Sequence, residues 1–478
     1  MVWTDPTVWS WIFFVSEWAI RLAMLVVVPF RRTPAAAKAW LLLIFFEPWV
    51  GLLLYLLIGR ARLTRWQREQ LARLPQAMAR VVNRLTNHPN VFHPDVGPAL
   101  SQAVTLAENL GQSPILGGNA VELLVDYDGT IARLIADIER AENHVHLLFY
   151  IFADDHATAP LVEALGRAVQ RGVRCRVLAD AIGSRSGLRT LRPKLTATGV
   201  EVHEMLPVSL LPWKKARVDL RNHRKIAVID GRIGYTGSQN MVAAEFKKGV
   251  AYEDLMIRVT GPVVLELQYL FAADWFLETN EVLDGENEFP APEIAGAVPA
   301  QALPSGPAFP TQNNQRLFVA LVHGALKKVV LTTPYFIPDE PLLQAMQTAA
   351  LRGVEVHLVV SEMGDHPIVS LAQESYYEEL LEAGIRIHPY RKNFLHAKHL
   401  SIDNAVAVIG SSNLDIRSFA LNAEVMLMLY DSDVVSRLAA EQERYYANAE
   451  LLTLATWQQR SFGRKLAENL ARLLSPLL

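Results

Sequence analysis

The feature that most constrains this chain is a pattern it carries twice. His223-Arg-Lys225-Ile-Ala-Val-Ile-Asp230 is followed by Gly237-Ser238-Gln-Asn240, and His396-Ala-Lys398-His-Leu-Ser-Ile-Asp403 by Gly410-Ser411-Ser-Asn413. Both read H-x-K-x4-D-x6-G-S-x-N with equal internal spacing. Six fixed positions coincide by chance on the order of once in 10⁸ windows, so the recurrence marks a duplicated folding unit. The flanks repeat as well. Tyr150 to Asp154 resembles Tyr335 to Asp339, Arg171 to Val173 resembles Arg352 to Val354, and Gly199 to His203 resembles Gly384 to His388.

Around the motifs, apolar strand-like runs alternate with helical patterns. In the first copy the runs are 145–152, 173–179 and 200–203, with helices over 159–170 and 188–198. In the second they are 329–335, 354–361 and 385–390, with helices over 341–351 and 375–383. This alternation predicts two α/β sandwich domains. Residues 284–315, rich in Pro, Ala and Gly, read as the connection between them.

The spacing within each motif speaks to chemistry. On an extended strand, residues i and i+2 share a face, so each half presents an imidazole and an ammonium together. The Gly-Ser-x-Asn turn adds a hydroxyl and an amide. Paired, the halves bring two histidines, two lysines (Lys225, Lys398), two serines (Ser238, Ser411) and two asparagines (Asn240, Asn413) around one cavity. That set suits a phosphodiester. One histidine attacks phosphorus and forms a phosphohistidine, while the other protonates the leaving alkoxide and later deprotonates the incoming alcohol. The lysines, serines and asparagines are expected to hold the non-bridging oxygens. Cations supply the charge there, so neither a metal nor a cofactor is expected. Asp254 and Glu424, each following a motif, are candidates to accept from a histidine Nδ1–H and fix its tautomer. Asp230 and Asp403 complete the His-Lys-Asp sets, and at the ends of their strands they read as structural.

Of the 478 residues 51% are hydrophobic, and the excess is concentrated at the N-terminus. Residues 8–30 carry only Glu17 and Arg21 as charges, and residues 39–59 only Glu47. A bilayer core needs about 20 helical residues, so residues 1–60 read as a membrane hairpin of two transmembrane or re-entrant helices. Trp9, Trp11, Trp40 and Tyr55 are expected at the interfaces. Glu17 and Arg21, four apart, are expected to pair. Glu47 and Pro48 predict a kink or a re-entrant second segment. Residues 61–115 read as a helical linker, 116–285 as the first catalytic domain and 286–478 as the second.

A net charge of −3 argues against nucleic acid as a partner. The lone Cys175 excludes a disulfide framework. Glu122-Leu-Leu-Val-Asp126-Tyr-Asp128-Gly-Thr130 looks like the phosphatase motif of a haloacid dehalogenase; a strand end and turn is the alternative. Residues 206–221 read equally as a bilayer-lying segment or an ordinary loop. The leucines of 457–478 predict an amphipathic helix, either packed on the body or lying on the membrane.

The two motifs resemble the HKD motifs of the phospholipase D superfamily. The chain is further similar to bacterial cardiolipin synthases in Arg221-x-His223-Arg-Lys225, Thr236-Gly-Ser238-x-Asn240, Pro304-Ser-Gly306-Pro, Thr333-Pro-Tyr-Phe-Ile-Pro-Asp339 and Asn413-Leu-Asp-x-Arg417-Ser. Similar too is Pro48-x-x-Gly51-x-x-x-Tyr55-Leu-x-x-Gly59. The resemblance implies paired α/β/α domains sharing one site across a pseudo-twofold axis. It implies joining of two phosphatidylglycerols into cardiolipin with release of glycerol. Bilayer lipids are then the partners, and the place is the bacterial inner membrane, multi-pass, with the catalytic part on the cytoplasmic side. A phospholipase D-type hydrolase, or a transferase using phosphatidylethanolamine as donor, stays open as the alternative, as does a homo-oligomer. Near-identical motifs do not say which histidine attacks; analogy with the superfamily points to His223.

Overall fold

The computed structural model describes all residues except 1–5, 33, 60–62, 64, 208–218, 248, 310, 365 and 476–478. Most of the 206–221 segment and the end of the C-terminal tail therefore lie outside the described residues. The chain divides into two compact units, Met1–Thr64 and Arg65–Leu478.

In the first unit the helix Pro6–Val27 has 22 residues. At 1.5 Å per residue it is long enough for a hydrocarbon core of about 30 Å. The second apolar run is two helices, Pro34–Phe46 and Pro48–Ile58. The break falls at Glu47, with φ −130° and ψ 79°, because the proline ring clashes with an α-conformation in the residue before it. Arg21 pairs with Glu17 at 3.1 Å as expected, and also donates to the Phe45 carbonyl at 3.0 Å. Tyr55 is fully buried within the unit, its ring edge-on to Trp40 at 5.3 Å.

The second unit is built on one large sheet. In chain order its strands are β1 (Leu116–Leu124), β2 (His144–Phe149), β3 (Arg174–Asp180), β4 (Glu201–Met205), β5 (Arg221–Asn222), β6 (Ile226–Ile229), β7 (Ile233–Gly237), β8 (Tyr252–Glu253), β9 (Met256–Thr260) and β10 (Val298–Ser305). The second half supplies β11 (Lys328–Thr333), β12 (Phe336–Ile337), β13 (Glu355–Ser361), β14 (Arg386–Tyr390), β15 (Phe394–Leu395), β16 (His399–Ile402), β17 (Val406–Gly410), β18 (Leu414–Asp415) and β19 (Asn422–Leu429). The main order is β14-β13-β11-β16-β17-β19-β10-β1-β9-β7-β6-β2-β3-β4, with the two-stranded pairs β12–β18 and β8–β15 apart from it. Read outward from the β10–β1 seam, the two arms are the same series. Two domains of one fold thus share a continuous sheet. Helices such as Ala159–Gln170 and Glu340–Leu351 cover it with their apolar faces.

Residues 284–315 are more than a connection, since they contain β10, the seam strand itself. A further helix, Pro367–Glu374, precedes the one expected near 375–383, which is observed as Tyr377–Glu382. The tail forms the helix Phe462–Arg472, packed on Pro367–Glu374. Its buried Glu468 takes Arg460 at 3.1 Å and Arg464 at 3.3 Å. The phosphatase-like stretch is the end of β1 and the start of the helix Tyr127–Ile138.

Candidate active site

His223 and Lys225 occupy the extended link between β5 and β6, and His396 and Lys398 the link between β15 and β16. The links are not ladder strands, yet extended geometry keeps the two side chains of each pair together. Lys225 Nζ donates to the His223 carbonyl at 2.7 Å, and Lys398 Nζ to the His396 carbonyl at 2.5 Å. All four are at least nine-tenths buried.

Each link is anchored on the opposite half. β5 pairs in parallel with β19, so His223 N donates to Ala423 O at 2.8 Å. β15 pairs in parallel with β8, so His396 N donates to Glu253 O at 2.7 Å. The next residue in each case is a carboxylate, Glu424 or Asp254. His223 Nδ1 lies 3.0 Å from Glu424 Oε1, and His396 Nδ1 lies 2.8 Å from Asp254 Oδ1. The pairing is crossed: each half holds the histidine of the other. With Nδ1–H directed to a carboxylate, a neutral ring carries its lone pair on Nε2, ready to attack, and a protonated ring carries a second N–H there, ready to donate. Both histidines line one cavity of about 470 Å³, together with Asn240, Asn413, Asp254, Tyr150 and Tyr252. Tyr150 stands edge-on to His223 at 4.9 Å and Tyr252 edge-on to His396 at 5.3 Å.

Burial sets the electrostatics. It lowers His396 to about 4, with the Asp254 charge opposing the shift. It lowers His223 too, against the Glu424 charge. Burial would raise both carboxyls, but the facing histidine and the lysine beside it together outweigh it, so Asp254 and Glu424 are held below their usual range. Lys225 is pulled down to about 7 by burial, which Glu424 opposes and the Lys398 charge reinforces. An anion in the cavity would reverse that loss of charge. Among the described residues no group of three or more His, Cys, Asp and Glu is arranged to ligate a metal ion.

The remaining expected site residues divide. Asn240 and Asn413 face the cavity. Asn240 Oδ1 accepts from Ile151 N at 3.1 Å, which turns its amide NH₂ away from that contact. Ser238 and Ser411, expected on phosphate oxygens, are fully buried behind the carboxylates. Ser411 Oγ donates to Glu424 Oε2 at 2.5 Å and accepts from Val425 N at 3.0 Å. Ser238 Oγ donates to Leu255 O at 3.1 Å and accepts from Leu255 N at 3.0 Å. Asp230 and Asp403, grouped with the catalytic residues by position in the motif, stand off the cavity. Asp230 accepts from the backbone N–H groups of Glu142, Asn143 and His144 at 2.7–2.9 Å. Asp403 does the same for Leu326, Lys327 and Lys328 at 2.7–3.0 Å.

Sequence reasoning missed a second tier. Arg224 pairs with Asp274 at 2.6 Å and donates to Glu424 O at 3.1 Å. Asp180 accepts from Arg221 and from Asn222 N at 3.1 and 3.0 Å. Glu253 accepts from Tyr390 and Arg444. The Tyr-Glu-Asp and Arg-Asn-His runs were legible, but their partners lie far off in sequence. Tyr150 was visible as a repeat position without a role.

Comparison with known proteins agrees with this geometry. The family described as "Cardiolipin synthase, PLD-like domain" matches residues 134–275 and 318–446, one segment in each half. Cardiolipin synthase A of Pectobacterium atrosepticum is 35% identical over 99% of this chain and 100% of its own length. That of Serratia proteamaculans is 35% identical with the same coverage. Among solved structures, the phosphatidylserine synthase of Haemophilus influenzae superposes with a TM-score of 0.63, covering 79% of this chain and 100% of its own. At 15% identity that likeness speaks for the fold alone. With a family match over more than half its length and full-length relatives above 30% identity, the chain belongs to the cardiolipin synthase family of PLD-like proteins.

Proposed function

We propose that this chain is a membrane phosphatidyltransferase that joins two phosphatidylglycerols into cardiolipin and releases glycerol. The observation that carries the reading is the crossed pair of carboxylate-tied histidines on one cavity. Nε2 of one histidine attacks the phosphorus of the first lipid. A P–N bond forms, the bond to the glycerol oxygen breaks, and the other histidine gives that oxygen its proton. The hydroxyl of a second phosphatidylglycerol then attacks phosphorus. Its proton passes to the second histidine as the P–N bond breaks, and the enzyme is regenerated. Lys225, Lys398, Asn240 and Asn413 hold the non-bridging oxygens. One phosphodiester replaces another, so the exchange is close to neutral in energy and consumes no nucleotide.

The helix Pro6–Val27 anchors the chain in the bilayer. The apolar pair broken at Glu47 is taken to return through it, leaving the catalytic part on the cytoplasmic side of a bacterial inner membrane. Arg60, Arg62, Arg65, Arg68 and Arg73 after the second segment favour that side, against Arg31, Arg32 and Lys38 in the connection.

The purified full chain in phosphatidylglycerol vesicles, without nucleotide, is expected to yield cardiolipin and free glycerol in equal amounts. Phosphatidic acid as the main product would make it a hydrolase. Cardiolipin formed only when phosphatidylethanolamine is added would change the donor.

A further inference from the structure

The two halves match at the reacting groups and differ around them. Two positions before each histidine stand Arg221 and Phe394; four positions after each asparagine stand Ala244 and Arg417. Both arginines line the cavity. Both also act on the Tyr150 phenol, opposing the burial that raises it, and Tyr150 packs on His223. Arg221 and Arg417 thus stand together at the Tyr150 end, while Lys247 lines the cavity as well. The repeat-related end carries Phe394, whose ring contacts Tyr252 at 5.1 Å and His396 at 5.8 Å. Arg221 is fixed by Asp180 and by the Leu206 carbonyl, each at 3.1 Å. Arg417 is half-buried, and among the described residues its guanidinium makes no ion pair. Asp415 in the same wall is turned to Ser418 N at 2.6 Å, and burial pushes its carboxyl up.

We propose that Arg417, backed by Arg221, forms a second anion subsite that holds the phosphodiester of the lipid accepting the phosphatidyl group. The inference rests on the transferase reading above. Cardiolipin carries two phosphodiesters on one glycerol, and the histidines and lysines serve one of them. The other is an anion brought into a largely buried cavity, where an unpaired charge is costly and an arginine fork matches it. Water and free glycerol carry no such group. The subsite therefore favours a phosphate-bearing acceptor at the phosphohistidine and biases the enzyme towards transfer over hydrolysis.

Phosphatidylglycerol vesicles containing the full chain and radiolabelled glycerol test this in one vessel. Labelled phosphatidylglycerol reports the phosphate-free acceptor, and cardiolipin reports the phosphate-bearing one. Arg417→Gln is expected to lower the ratio of cardiolipin to labelled phosphatidylglycerol at least tenfold, with partial recovery in Arg417→Lys. A ratio within twofold of the parent, or equal loss of both products in both variants, overturns the subsite. A parent chain that makes neither product overturns the transferase reading instead.

Discussion

At the scale of single residues, the site is two histidines whose basicity is set from behind. A neutral imidazole is useful as a nucleophile only if its lone pair is on the exposed nitrogen. Here that depends on Asp254 and Glu424 accepting from Nδ1. Asp254→Asn and Glu424→Gln keep the volume and lose the charge. Each is expected to lower kcat by about 10²–10⁴-fold with little change in KM. A fall below tenfold in steady-state assays would place the carboxylates in the scaffold alone. Lys225 gives a second expectation. With its ammonium at about 7, it is charged below that pH and neutral above it, and a bound phosphate holds the proton on. KM for phosphatidylglycerol should therefore climb by up to tenfold per pH unit above 7, with kcat less affected. A KM that is flat from pH 6 to 9 contradicts this. Each His-Lys pair was legible because a spacing of two keeps its side chains together, and the asparagines because the Gly-Ser-x-Asn turn recurs at the same distance from the histidine. The burial of Ser238 and Ser411 was not, since facing a carboxylate or a phosphate looks alike in a Gly-Ser turn.

At the scale of elements, the motif aspartates act on the backbone, as their place at the strand ends suggests. Asp230 and Asp403 sit at φ +53° and +52°, and each gathers three backbone N–H groups from the segment leading into β2 or β11. Alanine would remove those charge-assisted bonds and leave a β-carbon in left-handed geometry that aspartate and asparagine tolerate better. Asp403→Ala is expected to cost about 3 kcal/mol, and Asp403→Asn less than half of that, by urea unfolding of the full chain in detergent. Equal losses would argue against the turn as the cause. Strand β10 was hidden for a different reason. Val298-Pro-Ala-Gln-Ala-Leu-Pro-Ser reads as linker because prolines lack a donor. Its ladder with β1 is confined to Leu116↔Ala300 and Asn119↔Val298. Beyond that point the strand has β19 alone beside it, and Ala302 N is met by the buried Glu266 carboxyl at 2.6 Å. The helix Ala159–Gln170, in contrast, was readable to its ends from apolar period alone.

At the scale of the whole molecule, the duplication matters because neither half holds a complete site. The two-residue strands β5, β8 and β15 are too short to read in sequence, yet they make the crossing by docking each histidine on the other half. One shared sheet fixes that docking within a single chain. Catalysis should then need both histidines in the same polypeptide. His223→Ala and His396→Ala are each expected to abolish cardiolipin formation. Mixing the two inactive proteins in one vesicle, or co-expressing them, should restore none. Recovery approaching a quarter of parental activity would instead mean that strands are exchanged between copies, with each site assembled from two chains. The β10–β1 seam, short as its own ladder is, lies inside one sheet and argues for the first outcome. Swapping halves would mean breaking that seam along with the β5–β19 and β15–β8 pairings, all made inside one well-packed unit.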